Sequence, residues 1–185
     1  MEADPVRHLS VADYLASQIG GGVRQEFIGN EAFPLDAGGA VHDRIRQCLF
    51  VSLQARLLSG AYHVRCADTL VRIDVGTETV FYYPDVVVAD QLIGAPEPFL
   101  RQPKLIIEIF SRATEVTDCR GKKIFYVRVP SLDELVFVAE HRREVRVLRR
   151  ASGWRNETFS SPDALVEFQS VRQVMTLAQI YEGVA

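Results

Sequence analysis

A mixed α/β sandwich is the fold class that this 185-residue sequence predicts, and three observations predict it. The order along the chain is a helix, many strand-like runs and two further helices. One run, KLIIEIF over 104–110, has the near-continuous apolar character of a central strand covered on both faces. That strand, a helix and a second apolar run over 134–139 make one βαβ unit.

The elements follow in order. Ser10 before VADYLAS reads as the N-cap of a short helix with Val11, Tyr14 and Leu15 at helical spacing, and Gly20-Gly21-Gly22 ends it. Strands over 23–28 and 31–35 flank Gly29-Asn30, a hairpin turn signal. From 41 to 58 the residues Ile45, Cys48, Leu49, Leu53, Leu57 and Leu58 recur at three and four, an amphipathic helix that Gly60 closes. The stretch 62–73 reads as one strand, and 79–88 (TVFYYPDVVV) as a strongly β-prone one interrupted by Pro84. Gly94, Pro96, Pro98 and Pro103 make 90–103 a loop. A helix over 115–129 stops at Pro130. Strands are expected at 134–139 and 144–150 around a turn at His141-Arg142-Arg143, and weaker ones at 154–159 and 165–168. A short helix over 177–181 ends the chain as a single domain over 1–185, with a helix-hairpin at its N-terminal end and a β extension at its C-terminal end.

Composition excludes several classes. With 48% hydrophobic and 24% charged residues the chain is a folded protein rather than a disordered one, and its length supports a core without disulfides. The net charge of −3 argues against a constitutive nucleic-acid coat protein, while leaving room for a local basic patch. Cys48, Cys66 and Cys119 are scattered with no CxxC pair, which argues against zinc and fits a reducing cytoplasm. No export signal is read in MEADPVRHLS, and no run approaches the roughly 20 apolar residues of a membrane span.

Two carboxylates stand inside apolar runs: Asp85 in FYYPDVVV and Glu108 in LIIEIF. A buried, unpaired carboxylate costs several kcal/mol, so each demands a cation, a proton or a metal. Each alone could instead accept backbone N–H bonds or pair with an arginine. Asp118, Lys122 and Tyr126 stack at i, i+4 and i+8 on one face of the following helix, either as an exposed ion pair or as a face aimed at the strand ends. Glu26 and His42 read on pattern alone as a solvated strand residue and a helix-start residue. Carboxylate oxygens suit Mg²⁺ or Mn²⁺, and with a lysine nearby the constellation suits phosphodiester hydrolysis. Arg142, Arg143, Arg146, Arg149 and Arg150 read as a solvated strand face that limits edge pairing, with a DNA contact as the alternative, whereas Arg112, Arg120 and Lys123 lie closer to the expected site and are phosphate candidates.

The strings YYPDVVV at Asp85, PKLIIEIFSRAT at Glu108 and DCRGKKIFYVRVPSLDELVFV from Asp118 resemble the Uma-type putative restriction endonucleases, a bacterial family of PD-(D/E)xK-like nuclease fold once classed as a domain of unknown function. The resemblance extends to SVADYL, VRQEFIGNEAF, the helix start with His42, VRVLRRASGW and LAQIYEGV, nearly the whole chain. It implies a restriction-endonuclease-like core, a mixed central sheet flanked by helices. It also implies a Mg²⁺ or Mn²⁺ site at Asp85 and Glu108, a catalytic lysine, and Glu26 as an additional acid. Phe110 stands where the simplest ExK pattern has lysine, so Lys122 on the helix, or its neighbour Lys123, would supply that group; His42, Asp118 and Tyr126 would be accessory. Ser111-Arg112-Ala113-Thr114 replaces the family's usual serine-proline segment. The function implied is an endonuclease hydrolysing DNA, working as a homodimer in the cytoplasm. The alternative is a non-catalytic nucleic-acid- or protein-binding module on the same scaffold.

Overall fold

A computed structural model describes residues 8–19, 23–35, 38–57, 62–90 and 97–184, with the backbone alone for Thr117 and Asp118. The glycine stops at 20–22 and 60, Leu58, and the 91–96 part of the expected loop fall outside the described residues.

The N-terminal helix-hairpin forms as expected. Helix α1 (Val11–Ile19) is capped by the Ser10 hydroxyl, which accepts the Asp13 N–H at 3.1 Å. Strands β1 (Gln25–Ile28) and β2 (Glu31–Pro34) turn through Gly29 (φ 59°) and Asn30 (φ 65°), the two positive angles that a tight primed hairpin turn requires. Helix α2 (Ala40–Leu57) buries Ile45, Cys48, Leu49, Leu53 and Leu57 along one face.

Two of the expected strands are each two strands. The 62–73 run divides into β3 (Tyr62–Cys66) and β4 (Val71–Val75), and the 79–88 run into β5 (Glu78–Tyr82) and β6 (Val86–Asp90). The first break is at Ala67, held at φ 50°, and the second spans Tyr83-Pro84-Asp85, where proline offers no N–H to a ladder. At both breaks the chain changes sheet: β4 and β5 join the hairpin in a four-stranded sheet ordered β2-β1-β5-β4, while β3 and β6 enter a larger one. The break at 83–85 is what places Asp85 at the seam between the sheets.

After β6 come β7 (Pro103–Phe110), a helical segment over 115–126, β8 (Glu134–Ala139), β9 (Val145–Arg149) and β10 (Asn156–Phe159). The larger sheet is ordered β10-β9-β8-β7-β6-β3, so β7 and β8 are its two middle strands. They are parallel and every other pair in it is antiparallel, as one βαβ unit in a mixed sheet demands. The helical segment is not uniform. Its middle, Thr117–Lys122, is a π-helical turn, followed by the α-helical turn α3 (Lys123–Tyr126), so the helix expected over 115–129 ends three residues early. Strands β11 (Leu165–Phe168) and β12 (Gln173–Thr176), the latter not foreseen, form a hairpin before α4 (Leu177–Ile180).

The large sheet separates two cores. Leu105, Ile107 and Ile109 of β7 pack with α2, α4 and the C-terminal hairpin. Ile106 and Phe110 pack on the other face with Tyr126, Val129 and Tyr82. A third cluster of Tyr14, Phe27, Phe81 and Tyr83 lies where α1 meets the small sheet. Each fully buried side chain of this size contributes about 1.5–3 kcal/mol, so the sheet is a rigid platform for whatever its strand ends carry. Among the described residues no helix is long and apolar enough to cross a membrane.

Candidate functional site

Strand alternation aims the two stranded carboxylates the same way. Glu108 lies between Ile106 and Phe110 on the face of β7 that meets the helical segment, and only 3% of it is exposed. The antiparallel register pairs Val86 with Ile107, which sets Asp85 beside Glu108. The Asp85 carboxylate turns onto the neighbouring backbone, where Oδ2 accepts the Ile109 N–H at 2.8 Å. Its Oδ1 lies 3.2 Å from Nε2 of His42, on the first turn of α2. Burial lowers the His42 pKa, but the hydrogen bond and charge of Asp85, with the charge of Glu140, outweigh it and hold the value above the ordinary one.

The helical segment supplies the other half. Lys122 ends the π turn and Tyr126 ends α3, four residues on and above the same strand. The Tyr126 hydroxyl donates to Glu108 Oε1 at 2.6 Å, and Lys122 Nζ lies 3.5 Å from the same oxygen. That ammonium also donates to Glu26 Oε1 at 2.7 Å and stands 5.3 Å from the centre of the Tyr82 ring. Burial pushes the Glu108 carboxyl well above the usual carboxylate range. Lys122 opposes that shift, Asp85 and Glu26 add to it, and the hydrogen bond from Tyr126 opposes it.

Glu26, His42, Asp85, Glu108 and Lys122 line a cleft of about 590 Å³ between the two sheets. Among the described residues five acids border it, Glu26, Asp43, Asp85, Glu108 and Glu140, against the three cations Arg24, Arg46 and Lys122. No three His, Cys, Asp or Glu side chains close a metal cage among the described residues. Two carboxylates do fit Mg²⁺ or Mn²⁺, which bind through one or two carboxylates and leave their other positions to water and phosphate. Glu108 Oε2 accepts no hydrogen bond among the described residues, and Glu108 borders the cleft, as a ligand oxygen should.

Asp85, Glu108, Lys122, Glu26, His42 and Tyr126 are thus brought together. The Asp118 side chain lies outside the described residues. Lys123 faces elsewhere: its Nζ donates to the Trp154 carbonyl at 3.4 Å, so Lys122 is the lysine at the carboxylates. Arg112 is exposed and does not line the cleft, and Arg120 borders a separate depression with Cys119 and Asn156. The expected solvated arginine face is a set of ties instead. Arg142 and Arg146 grip Glu115 and Glu144, Arg143 reaches the Val184 carbonyl, Arg149 holds Glu134 and Glu157, and Arg150 bonds the Leu132 and Val129 carbonyls. Arg24, Arg46 and Glu140 were not foreseen at the cleft. Arg46 had a signal, since it lies four residues after His42 on one helix face, and Glu140 directly follows the apolar run of a parallel strand.

A mixed sheet with a parallel central pair, one acid before an inner strand, a second within the next, and a lysine on the crossover helix define a nuclease-like fold. The crystal structure of a putative nuclease belonging to DUF820 from Anabaena variabilis ATCC 29413 has this fold, with a TM-score of 0.71 and 17% identity over 90% of this chain and 96% of that one. Residues 11–178 match the family profile Uma2, described as putative restriction endonuclease, and the chain belongs to that family. Two proteins of Synechocystis sp. (strain ATCC 27184 / PCC 6803 / Kazusa) are similar. Protein sll1609 is 26% identical over 133 residues, 70% of this chain and 74% of its own length. Protein slr1290 is 24% identical over 184 residues, 98% of this chain and 95% of its own length.

Proposed function

We propose that the chain is a divalent-cation-dependent endonuclease that hydrolyses DNA phosphodiester bonds at the seam between its sheets. The observation that carries this reading is the pairing of Asp85 and Glu108 at one cleft with Lys122 Nζ 3.5 Å from Glu108. Asp85 and Glu108 would hold Mg²⁺ or Mn²⁺, which supplies Lewis-acid stabilisation of the phosphate when bound. Lys122 sets an ammonium where negative charge develops on the phosphate, and Glu26 holds that ammonium in place. Arg24 and Arg46, rather than Arg112 and Arg120, are the phosphate-backbone contacts of this reading, since they line the cleft. Among the described lining residues acids outnumber cations, so a divalent cation at Asp85 and Glu108 would ease the approach of a polyanion, which supports a metal requirement. A cut in both strands takes two sites, which a symmetric pair of chains supplies.

The test is cleavage of supercoiled plasmid in Mg²⁺, Mn²⁺ and EDTA by the protein and by Asp85→Ala. We expect nicked and linear products only with the metals, a light-scattering mass of two chains, and background cleavage by the variant with unchanged circular dichroism. Unchanged cleavage by the variant removes Asp85 from the mechanism. Bound but uncut DNA in both metals overturns the hydrolase reading and favours the binding module.

A further inference from the structure

We propose that His42 is a positioning residue for Asp85 and that the Gly38 backbone locks its ring in place; the assignment rests on the metal-site reading above. Among the described residues the imidazole has one polar contact within hydrogen-bonding reach, Nε2 at 3.2 Å from Asp85 Oδ1. A carboxylate only accepts, so Nε2 carries the hydrogen in this contact. The other Asp85 oxygen is fixed by the Ile109 N–H at 2.8 Å. Each oxygen therefore has a donor from a different element, α2 on one side and β7 on the other, and the carboxylate plane cannot swing.

The opposite edge of the ring is closed by the protein itself. Nδ1 is buried, with no hydrogen-bond partner among the described residues, and Oδ1 of Asp43 is 4.0 Å away. Gly38 explains how the ring stays there. A Cβ at that position would stand 2.4 Å from Cγ and Nδ1 of His42, so glycine alone lets the backbone cover this edge. The ring is held with one nitrogen sealed and the other directed at Asp85, an arrangement that serves the carboxylate.

The experiment is calorimetric titration of Mn²⁺ into the full chain and into His42→Ala, His42→Gln and His42→Asn, with thermal unfolding of each in parallel. The Gln amide nitrogen reaches the place of Nε2, whereas that of Asn stays nearer Nδ1. We expect His42→Ala and His42→Asn to bind Mn²⁺ about tenfold or more weakly, His42→Gln to recover most of the affinity, and the unfolding midpoints not to follow that order. Undiminished binding by His42→Ala, or a Gln variant no better than the Asn one, overturns the assignment while leaving the metal site standing. No saturable Mn²⁺ uptake by the unaltered chain, alone or with an oligonucleotide, overturns the metal-site reading and this assignment with it.

Discussion

Replacing Gly38 by alanine would set a methyl carbon 2.4 Å from two ring atoms of His42 and 2.9 Å from its Cβ, so the ring as a whole must move rather than only its tip. Gly39 has nothing within 4 Å of the same added carbon. Gly38→Ala should therefore weaken Mn²⁺ binding about tenfold, the lower end of what loss of an outer partner costs, and Gly39→Ala should leave it unchanged. Equal titration curves for the two variants would sink the prediction. At this scale the sequence was legible where a residue contradicted its surroundings. Asp85 and Glu108 are acids inside apolar runs, and burial of Glu108 is the structural counterpart of that contradiction. His42 contradicts nothing in its own helix, and its contact with Asp85 joins residues far apart in the chain, beyond the reach of any spacing argument.

The helical segment 115–126 is tied to the sheet at both ends, by Tyr126 on Glu108 and by Glu115 on Arg142 and Arg146 of the β8–β9 hairpin. Hydrogen bonds from Arg142 and then Arg146 hold the Glu115 carboxyl down to about 2. Since the folded value lies below the unfolded one, the unfolded chain takes up the proton first. The contribution is whole above about pH 5 and fades as the pH falls through about 2. The thermal midpoint of the unaltered protein should thus drop more steeply from pH 5 to pH 2 than that of Glu115→Gln; parallel curves would refute this. These arginines looked like a solvated face because alternation shows which way a side chain leaves its strand but not that an acid from a distant helix meets it. The same blindness merged β3 with β4 and β5 with β6. Local pattern marks a chain as extended, yet only tertiary pairing decides that it leaves one sheet for another at Ala67 or at Pro84.

Across the whole molecule, Glu134 joins the central sheet to the C-terminal extension. It is 1% exposed, and its oxygens accept from Arg149 Nε at 2.9 Å, from the N–H groups of Gln169 and Ser170 at 3.0 and 2.7 Å, and from the Ser170 hydroxyl at 2.5 Å. Glu134→Ala strips these donors of their acceptor and should cost about 3–5 kcal/mol in urea unfolding, with Glu134→Gln costing less because its carbonyl still accepts. A loss below about 1 kcal/mol would show that the extension is held by its apolar face alone. The candidate site has a different dependence on long-range assembly. Asp85 meets its backbone partner across 24 positions and Glu108 meets Tyr126 across 18, but Lys122 meets Glu26 across 96. Contacts that close long loops cost the most chain entropy and tend to form late in folding. Glu26 leaves the ribosome nearly a hundred residues before Lys122 does, so a half-made chain carries the fragments of the candidate site without the ion pair that closes it.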